Sequence, residues 1–302
     1  VIHNRFSLEN ILFNVFKFLV VAGLVLITLY PFWNTVVISF NAAGDTIRGG
    51  VTVWPREWTM TNYKAVWVSA NIPQAFLVSV SRTSITTVLN LFLTSMLAYA
   101  LSRKEFRYRR PLTLIVVLSM YVNAGLFPNY FLIRSLGLMN SFWVYIIPTM
   151  FAAFNFIIVR TFIRTIPESI IESARIDGAG EFFIYRRIIL PLSKPVLATV
   201  ALFVAVGAWN SWFDTVLYAS RNQDLFTLQY QLMAMLQSSM NQSRSAADVG
   251  ANGMAANINA SMVTPVSIRA ATTVIAALPI LVVYPFLQKY FVVGMNVGSI
   301  KE

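Results

Sequence analysis

The sequence contains no cysteine and a single histidine, His3, so disulfides, thiolate metal sites and the histidine clusters of metal-dependent or His-based catalysis are excluded. Charge is scarce too, with 12% of residues charged and only 12 Asp and Glu in the whole chain. No Gly-Lys dipeptide occurs, which removes the glycine-rich loop ending in Gly-Lys-Ser/Thr that holds nucleotide phosphates and Mg²⁺ in ATP-hydrolysing proteins. A membrane-embedded enzyme would need a catalytic cluster that this composition lacks. No internal repeat, low-complexity tract or second soluble domain is evident, and residues 1–302 read as a single membrane domain.

What the chain does have is apolar length. Of its 302 residues, 57% are hydrophobic and 14% aromatic, with a mean hydropathy of +0.65, more apolar surface than a soluble core of this size needs. A helix crosses the hydrocarbon with about 20 apolar residues. Six such runs are present, at about 12–39, 75–101, 112–133, 142–163, 195–218 and 270–293. The first is basic and then apolar, like a signal peptide, but its run is too long and no small-residue cleavage pattern follows, so it reads as a retained span with Pro31 near its outer end.

The net charge of +11 does not mark a nucleic-acid binder, because the basic residues fall in short clusters between apolar runs. With six spans both ends share one side. That side holds 15 of the 23 Lys and Arg, including Arg103, Lys104, Arg107, Arg109 and Arg110, while the opposite side holds 7 and Arg82 lies inside the second span. Lys and Arg are retained on the cytoplasmic side, so the termini and the loops 102–111 and 164–194 are expected in the cytoplasm.

The segment 167–191 is the most informative. Pro167 suits the first position of a helix, Glu168 and Glu172 favour its positive start, and Ile170, Ile171 and Ala174 form an apolar face before Asp177-Gly178 stops it. A second short helix from about Glu181 to Ile189 buries Phe182, Phe183 and Ile189 and ends at Pro191. An amphipathic connector lying on the bilayer surface would account for Arg186, Arg187 and Lys194, but it leaves Glu168, Glu172, Asp177 and Glu181 facing anionic headgroups that repel them. A compact knob docked on a partner does not.

Glu172, Ser173, Ala174, then Gly178, then Ile188, Leu190 and Pro191 resemble the "EAA" loop of ABC importer permeases, with every spacing kept and Ser173 as the one departure. The resemblance implies an all-α polytopic membrane protein with six transmembrane helices of the type I ABC importer permease fold and a cytoplasmic coupling helix. It implies that Glu172, Ser173, Ala174, Asp177, Gly178, Ile188, Leu190 and Pro191 serve ATPase coupling, with Glu172 bonding to the ATPase subunit, Ala174 allowing close contact and Gly178 making the turn. Residues 51–67, with a Pro, a Trp-Thr and an Asn-Tyr, also look like carbohydrate-type permeases, although Trp54, Trp58, Tyr63 and Trp67 equally suit an interfacial aromatic belt. The run from Tyr284-Pro285 through Gly298 to Lys301 resembles the end of sugar-importer permeases. The match is closest to the second permease subunit of maltose-type systems, and within them to the subfamily for complex or acidic oligosaccharides such as alginate.

That resemblance further implies a bacterial inner-membrane location and a related second permease as partner. Two ATPase subunits would carry the ATP and Mg²⁺, leaving this chain no cofactor of its own, and an extracytoplasmic solute-binding protein would deliver a carbohydrate. Polar residues in or near the spans, Arg82, Asn90, Asn123, Asn155, Trp209, Asn210 and Asp214, are candidates for the substrate path, with interhelical packing as the alternative for each. The outer segment 219–269 is read as a long loop, which either reaches into the binding protein or is a loosely packed insert. An ion-coupled secondary transporter is the competing class; it calls for mid-membrane carboxylates and a topology repeat, whereas only Asp214 lies near a span.

Overall fold

The structure is a computed structural model that describes residues 8–69, 71–248 and 264–299. Both termini, the Asn252-Gly253 part of the outer segment and Lys301 lie outside the described residues. Among the described residues no strand forms, and the helices group into two compact units, 8–69 with 234–248 and 264–277, and 71–233 with 278–299.

In the first unit, helix α1 (Leu8–Ser39) exposes apolar side chains along most of its length, as a lipid-facing helix must. Pro31 lies within it, and Thr35 Oγ1 donates to the Pro31 carbonyl at 2.9 Å. The chain then makes a hydrogen-bonded knot through α2 (Ala43–Arg48) and α3 (Thr61–Ser69). Asn41 Oδ1 accepts the backbone N–H of Arg56 at 2.9 Å and of Glu57 at 3.1 Å, while its Nδ2 donates to Asp45 at 2.9 Å. Asn62, fully buried, donates to the carbonyls of Ser39 (3.0 Å) and Asn41 (2.9 Å), and Tyr63 and Ser39 share a hydroxyl bond at 2.8 Å. The Asn-Tyr of the 51–67 pattern is thus a structural latch, whereas Trp54, Trp58 and Trp67 stay exposed and fit the aromatic-belt reading.

In the second unit α4 (Ile72–Ser102) packs against α7 (Ala153–Ile163) and α11 (Lys194–Asn210). Between α4 and α7 lie α5 (Arg109–Ser119) and α6 (Leu126–Ser135). The run expected as one span at 112–133 is therefore two helices of 11 and 10 residues, each only about 16 Å long at ~1.5 Å per residue. Gly125, immediately before α6, adopts φ +83, outside helical geometry, and Asn123 Oδ1 accepts its N–H at 2.9 Å.

Two further expected spans are bent. Before α7, two tight turns at Phe142–Tyr145 and Ile147–Thr149 meet it at 48°. The run 195–218 stops at Asn210, passes through an extended Ser211 and resumes as α12 (Phe213–Tyr218). Among the described residues three helices, Leu12–Ser39, Ile72–Ser102 and Pro265–Pro285, are long and apolar enough to cross a membrane, and two bent pairs meet the same test together. The segment expected as an outer loop carries the helix α13 (Leu228–Asp248); its Gln, Met, Leu and Ala are good helix formers, so polarity did not mean irregularity.

Replacing Asn62 with Ala removes its bonds to the Ser39 and Asn41 carbonyls and leaves only the Tyr63–Ser39 hydroxyl bond of this latch. We expect a loss of about 1–3 kcal/mol, read as a lowered thermal unfolding midpoint of the purified protein.

Candidate coupling site and the buried polar stripe

The segment 164–194 folds as two helical pieces set against the membrane helices. Helix α8 (Glu168–Ile176) ends in a tight reversal: the Gly178 N–H bonds to the Arg175 carbonyl at 3.0 Å and the Ala179 N–H to the Ala174 carbonyl at 2.9 Å. Gly178 sits at φ +81, where a side chain would be strained, so the turn requires glycine. The second piece, α9 (Glu181–Ile184), does not end at Pro191 as the sequence implied. It passes through a wide π turn, Tyr185–Ile189, into α10 (Leu190–Leu192), because the wider turn accommodates a proline that has no N–H to continue the regular ladder. At Ser193, itself buried, the backbone bends by 78° into α11.

One side of this knob is locked into the protein. Ile171, Ile184 and Ile189 are completely buried, and with Tyr185 they join Ala98, Tyr99 and Leu101 of α4, Phe156, Val159 and Ile163 of α7, and Val196 and Val200 of α11 in one core cluster. Ile189 is buried as expected, but Phe182 and Phe183, also expected inside, are 66% and 55% exposed, and Ile184 and Tyr185 face inward in their place. Ala174 is half-buried and packs inward, as do Ile188 and Leu190. The other side of α8 presents Ser169, Glu172, Ser173 and Ile176 at helical spacing, and Ile176 is 86% exposed. Among the described residues Glu172 and Asp177 pair with no cation.

The other two carboxylates of the loop are used internally. Glu168 pairs with Lys104, and Glu181 pairs with Arg175 at 2.7 Å while accepting the Tyr99 hydroxyl at 2.6 Å. Arg175 also reaches Glu105 at 2.5 Å, and its hydrogen bond holds the Glu105 carboxyl down at about 2. Only Arg175 and Glu181 are near one another in sequence, six positions apart; the links to Lys104, Glu105 and Tyr99 span 64 to 82 positions, and sequence reasoning missed them.

A second cluster lies along α4. Arg82, Thr86, Asn90 and Thr94 recur every four residues, and all four are buried. Arg82 ion-pairs with Asp214, donates to the Ser211 carbonyl at 3.1 Å and stands 4.6 Å from the centre of the Tyr145 ring. Asn90 donates to the Thr149 carbonyl at 3.2 Å and accepts from Asn155 at 3.3 Å. A cavity of about 310 Å³ is bounded by Arg82, Thr86, Asn90, Asn155 and Ser211.

Of the path candidates, the structure brings together Arg82, Asn90, Asn155 and Asp214. Asn123 belongs to the turn between α5 and α6. Trp209 lines a separate, apolar cavity, and exposed Asn210 accepts from Gln229 at 3.4 Å. The four-residue recurrence was the available signal for Thr86 and Thr94, which the sequence reading left out.

Helices of spanning length, bent pairs with buried polar satisfaction and a docked helical knob define a polytopic permease subunit. The sequence matches the family of binding-protein-dependent transport system inner membrane components over residues 90–297, and the chain belongs to that family. It is 33% identical to the polygalacturonan/rhamnogalacturonan transport system permease protein YtcP of Bacillus subtilis, over 97% of this chain and 100% of that one. It is 37% identical to protein LplC of the same organism, over 96% and 95%. Among solved structures it is similar to a chain of a bacterial ABC transporter involved in the import of the acidic polysaccharide alginate, at 27% identity and a TM-score of 0.82 over 95% of this chain and 99% of that one. The fold is that of a type I ABC importer permease. Nothing in these relationships favours ion-coupled transport.

Two outcomes are expected. Arg82→Met leaves Asp214 unpaired and costs about 3–5 kcal/mol, whereas Arg82→Met with Asp214→Leu recovers most of the folded yield in size-exclusion and melting assays. For Glu105, a carboxyl held below its ordinary value of 4.5 stabilises fully above that pH and loses its contribution as pH falls toward about 2. The protein with Glu105→Gln should therefore melt slightly below the unaltered protein at neutral pH, and that gap should close on acidification. It will be small because the side chain is half exposed.

Proposed function

We propose that this chain forms half of the translocation path of an ATP-driven importer for acidic oligosaccharides, and that the knob at 164–194 couples ATPase closure to alternating access. The observation that carries this reading is the division of α8 into a buried side, through Ile171, and an outward side of Ser169, Glu172, Ser173 and Ile176. A helix whose apolar Ile176 is 86% exposed beside an unpaired Glu172 has the anatomy of a docking surface. The matching "EAA" spacing supports an ATPase subunit as the protein that docks there.

On this reading a related second permease completes the path, two ATPase subunits bind ATP and Mg²⁺ at the cytoplasmic face, and an extracytoplasmic solute-binding protein delivers substrate. Both termini and the basic loops face the cytoplasm, in accord with the Lys and Arg distribution. ATP-driven closure of the ATPase pair moves α8, and the core beneath it carries the displacement to α4, α7 and α11. Nearly complete switching between inward- and outward-facing states requires a bias of about 5.5 kcal/mol. Nucleotide supplies part of it and the loaded binding protein the rest.

The polar cavity beside α4 offers a guanidinium, two amides and hydroxyls to a passing sugar. An acidic substrate is supported by the relatives named for polygalacturonan and alginate systems and by Arg82, which such a substrate's carboxylate would meet at that cavity. The outer segment with α13 is placed by this orientation on the side from which the binding protein approaches.

The test is ATPase activity of the reconstituted complex, stimulated by binding protein with a panel of uronate and neutral oligosaccharides. Glu172→Ala should abolish stimulation while leaving insertion and thermal stability unchanged, because among the described residues Glu172 forms no salt bridge. Gly178→Val should also abolish stimulation, by straining the turn, and should lower the thermal midpoint as well. Normal transport by both variants would refute the coupling role, and stimulation by neutral sugars alone would refute the acidic substrate.

A further inference from the structure

Positive charge accumulates at one point of the second unit beyond what orientation in a membrane requires. A cavity of about 610 Å³ opens between the end of α4, the start of α5, the end of α7 and the start of α8. Six cations line it, Arg103, Lys104, Arg109, Arg110, Arg160 and Arg164, against one carboxylate, Glu168, which Lys104 already engages. Among the described residues none of the five arginines is ion-paired. Arg160 is fixed by donating from Nε to the Leu101 carbonyl at 3.1 Å, and the Nε of Arg103 is buried without a hydrogen-bond partner.

Orientation needs Lys and Arg in a loop; it does not need them to converge. Arg186 and Arg187 illustrate the ordinary case, since both are exposed and neither borders the cavity. Arg103 leans 5.1 Å from the centre of the Tyr99 ring, but Arg109, Arg110, Arg160 and Arg164 form no salt bridge among the described residues, and such guanidiniums around a polar hollow repel one another unless an anion sits among them. Planar forks of N–H donors match phosphate oxygens two at a time. The hollow is also larger than a lone phosphate ion needs, and it lies beside helix ends where a headgroup would reach it.

We propose that this cavity is a phosphate-group site, occupied by the headgroup of an anionic phospholipid or by soluble phosphate. Glu168 of α8 and its Lys104 bridge form one wall, so occupancy bears on the position of the coupling helix. This last consequence rests on the function proposed above; the binding itself does not.

The experiment uses the full-length chain in its complex, in nanodiscs of phosphatidylcholine doped with fluorescent phosphatidylglycerol, with inorganic phosphate as competitor. Arg109→Gln with Arg164→Gln should weaken phosphatidylglycerol association at least tenfold, while Arg186→Gln with Arg187→Gln, an equal loss of charge, should change it less than twofold. Arg110→Gln, a single exposed change, should give an intermediate loss and serves if the double variant fails to fold. Displacement by millimolar phosphate assigns the site to a soluble anion, and resistance to it assigns the site to lipid. Equal losses in the two double variants would reduce the effect to general surface attraction and overturn the proposal. So would failure of the unaltered protein to bind either probe while Arg109→Gln with Arg164→Gln releases the ATPase subunit, because the cations would then be holding protein. ATPase coupling is read separately, so lipid binding without any effect on turnover would leave the site standing and remove only its link to α8.

Discussion

A helix that breaks inside a membrane uncovers carbonyl groups that water cannot reach, and the second unit of this protein is arranged around satisfying them. Both breaks described above, near Thr149 and at Ser211, deliver a carbonyl to α4, where Asn90 and Arg82 donate to them. The buried polar stripe on α4 thus supports these two breaks through Asn90 and Arg82. Arg82 does more than donate: its charge must be matched in a poorly solvated place, and Asp214 lies just beyond the break at Ser211 to match it. Breaks, stripe and ion pair form one device, and the cavity of about 310 Å³ is the space it leaves.

The lower end of the same helix works by the opposite chemistry. Ala98, Tyr99 and Leu101 receive Ile171, Ile184, Tyr185 and Ile189 from the knob, and each buried large side chain contributes roughly 1.5–3 kcal/mol. Four such residues make a contact too favourable to open with each cycle. Around its rim, the Arg175 bonds to Glu105 and Glu181 add direction more than energy, since both carboxylates are half exposed. The knob thus moves with α4 and α7, or it does not move.

How much of this was legible depended on whether the cause was local. The turn at Gly178, the start of α8 and the spacing from Glu172 to Pro191 are written in neighbouring residues, and they could be read directly. Apolar length marked where spans lie but not where they bend, because Gly125 and Ser211 interrupt runs whose average hydropathy is unaffected. The Asn-Tyr at 62–63 could be recognised as a recurring pair, yet its role as a latch on Ser39 and Asn41 depends on a fold-back that no periodicity announces. Arg82 and Asp214 were each visible as a misplaced charge. That they answer one another across 132 residues was not.

The inward burial of Ala174 bears on how a partner is gripped. The family pattern puts small residues in this turn, and the resemblance implied that they let the ATPase approach closely. Here Ala174 faces the protein's own core, so its smallness serves the fit of α8 against the spans beneath. The outward side is left to Ser169, Glu172, Ser173 and Ile176, of which Ser173 bonds back to the Ser169 carbonyl at 2.8 Å. A surface with one unpaired carboxylate and one exposed isoleucine can specify a groove that offers a donor beside an apolar wall. Ser173, the single departure from the family pattern, adds one hydroxyl to an alanine and turns it back to its own helix, so it leaves this outward side as low as alanine would and brings no charge to it.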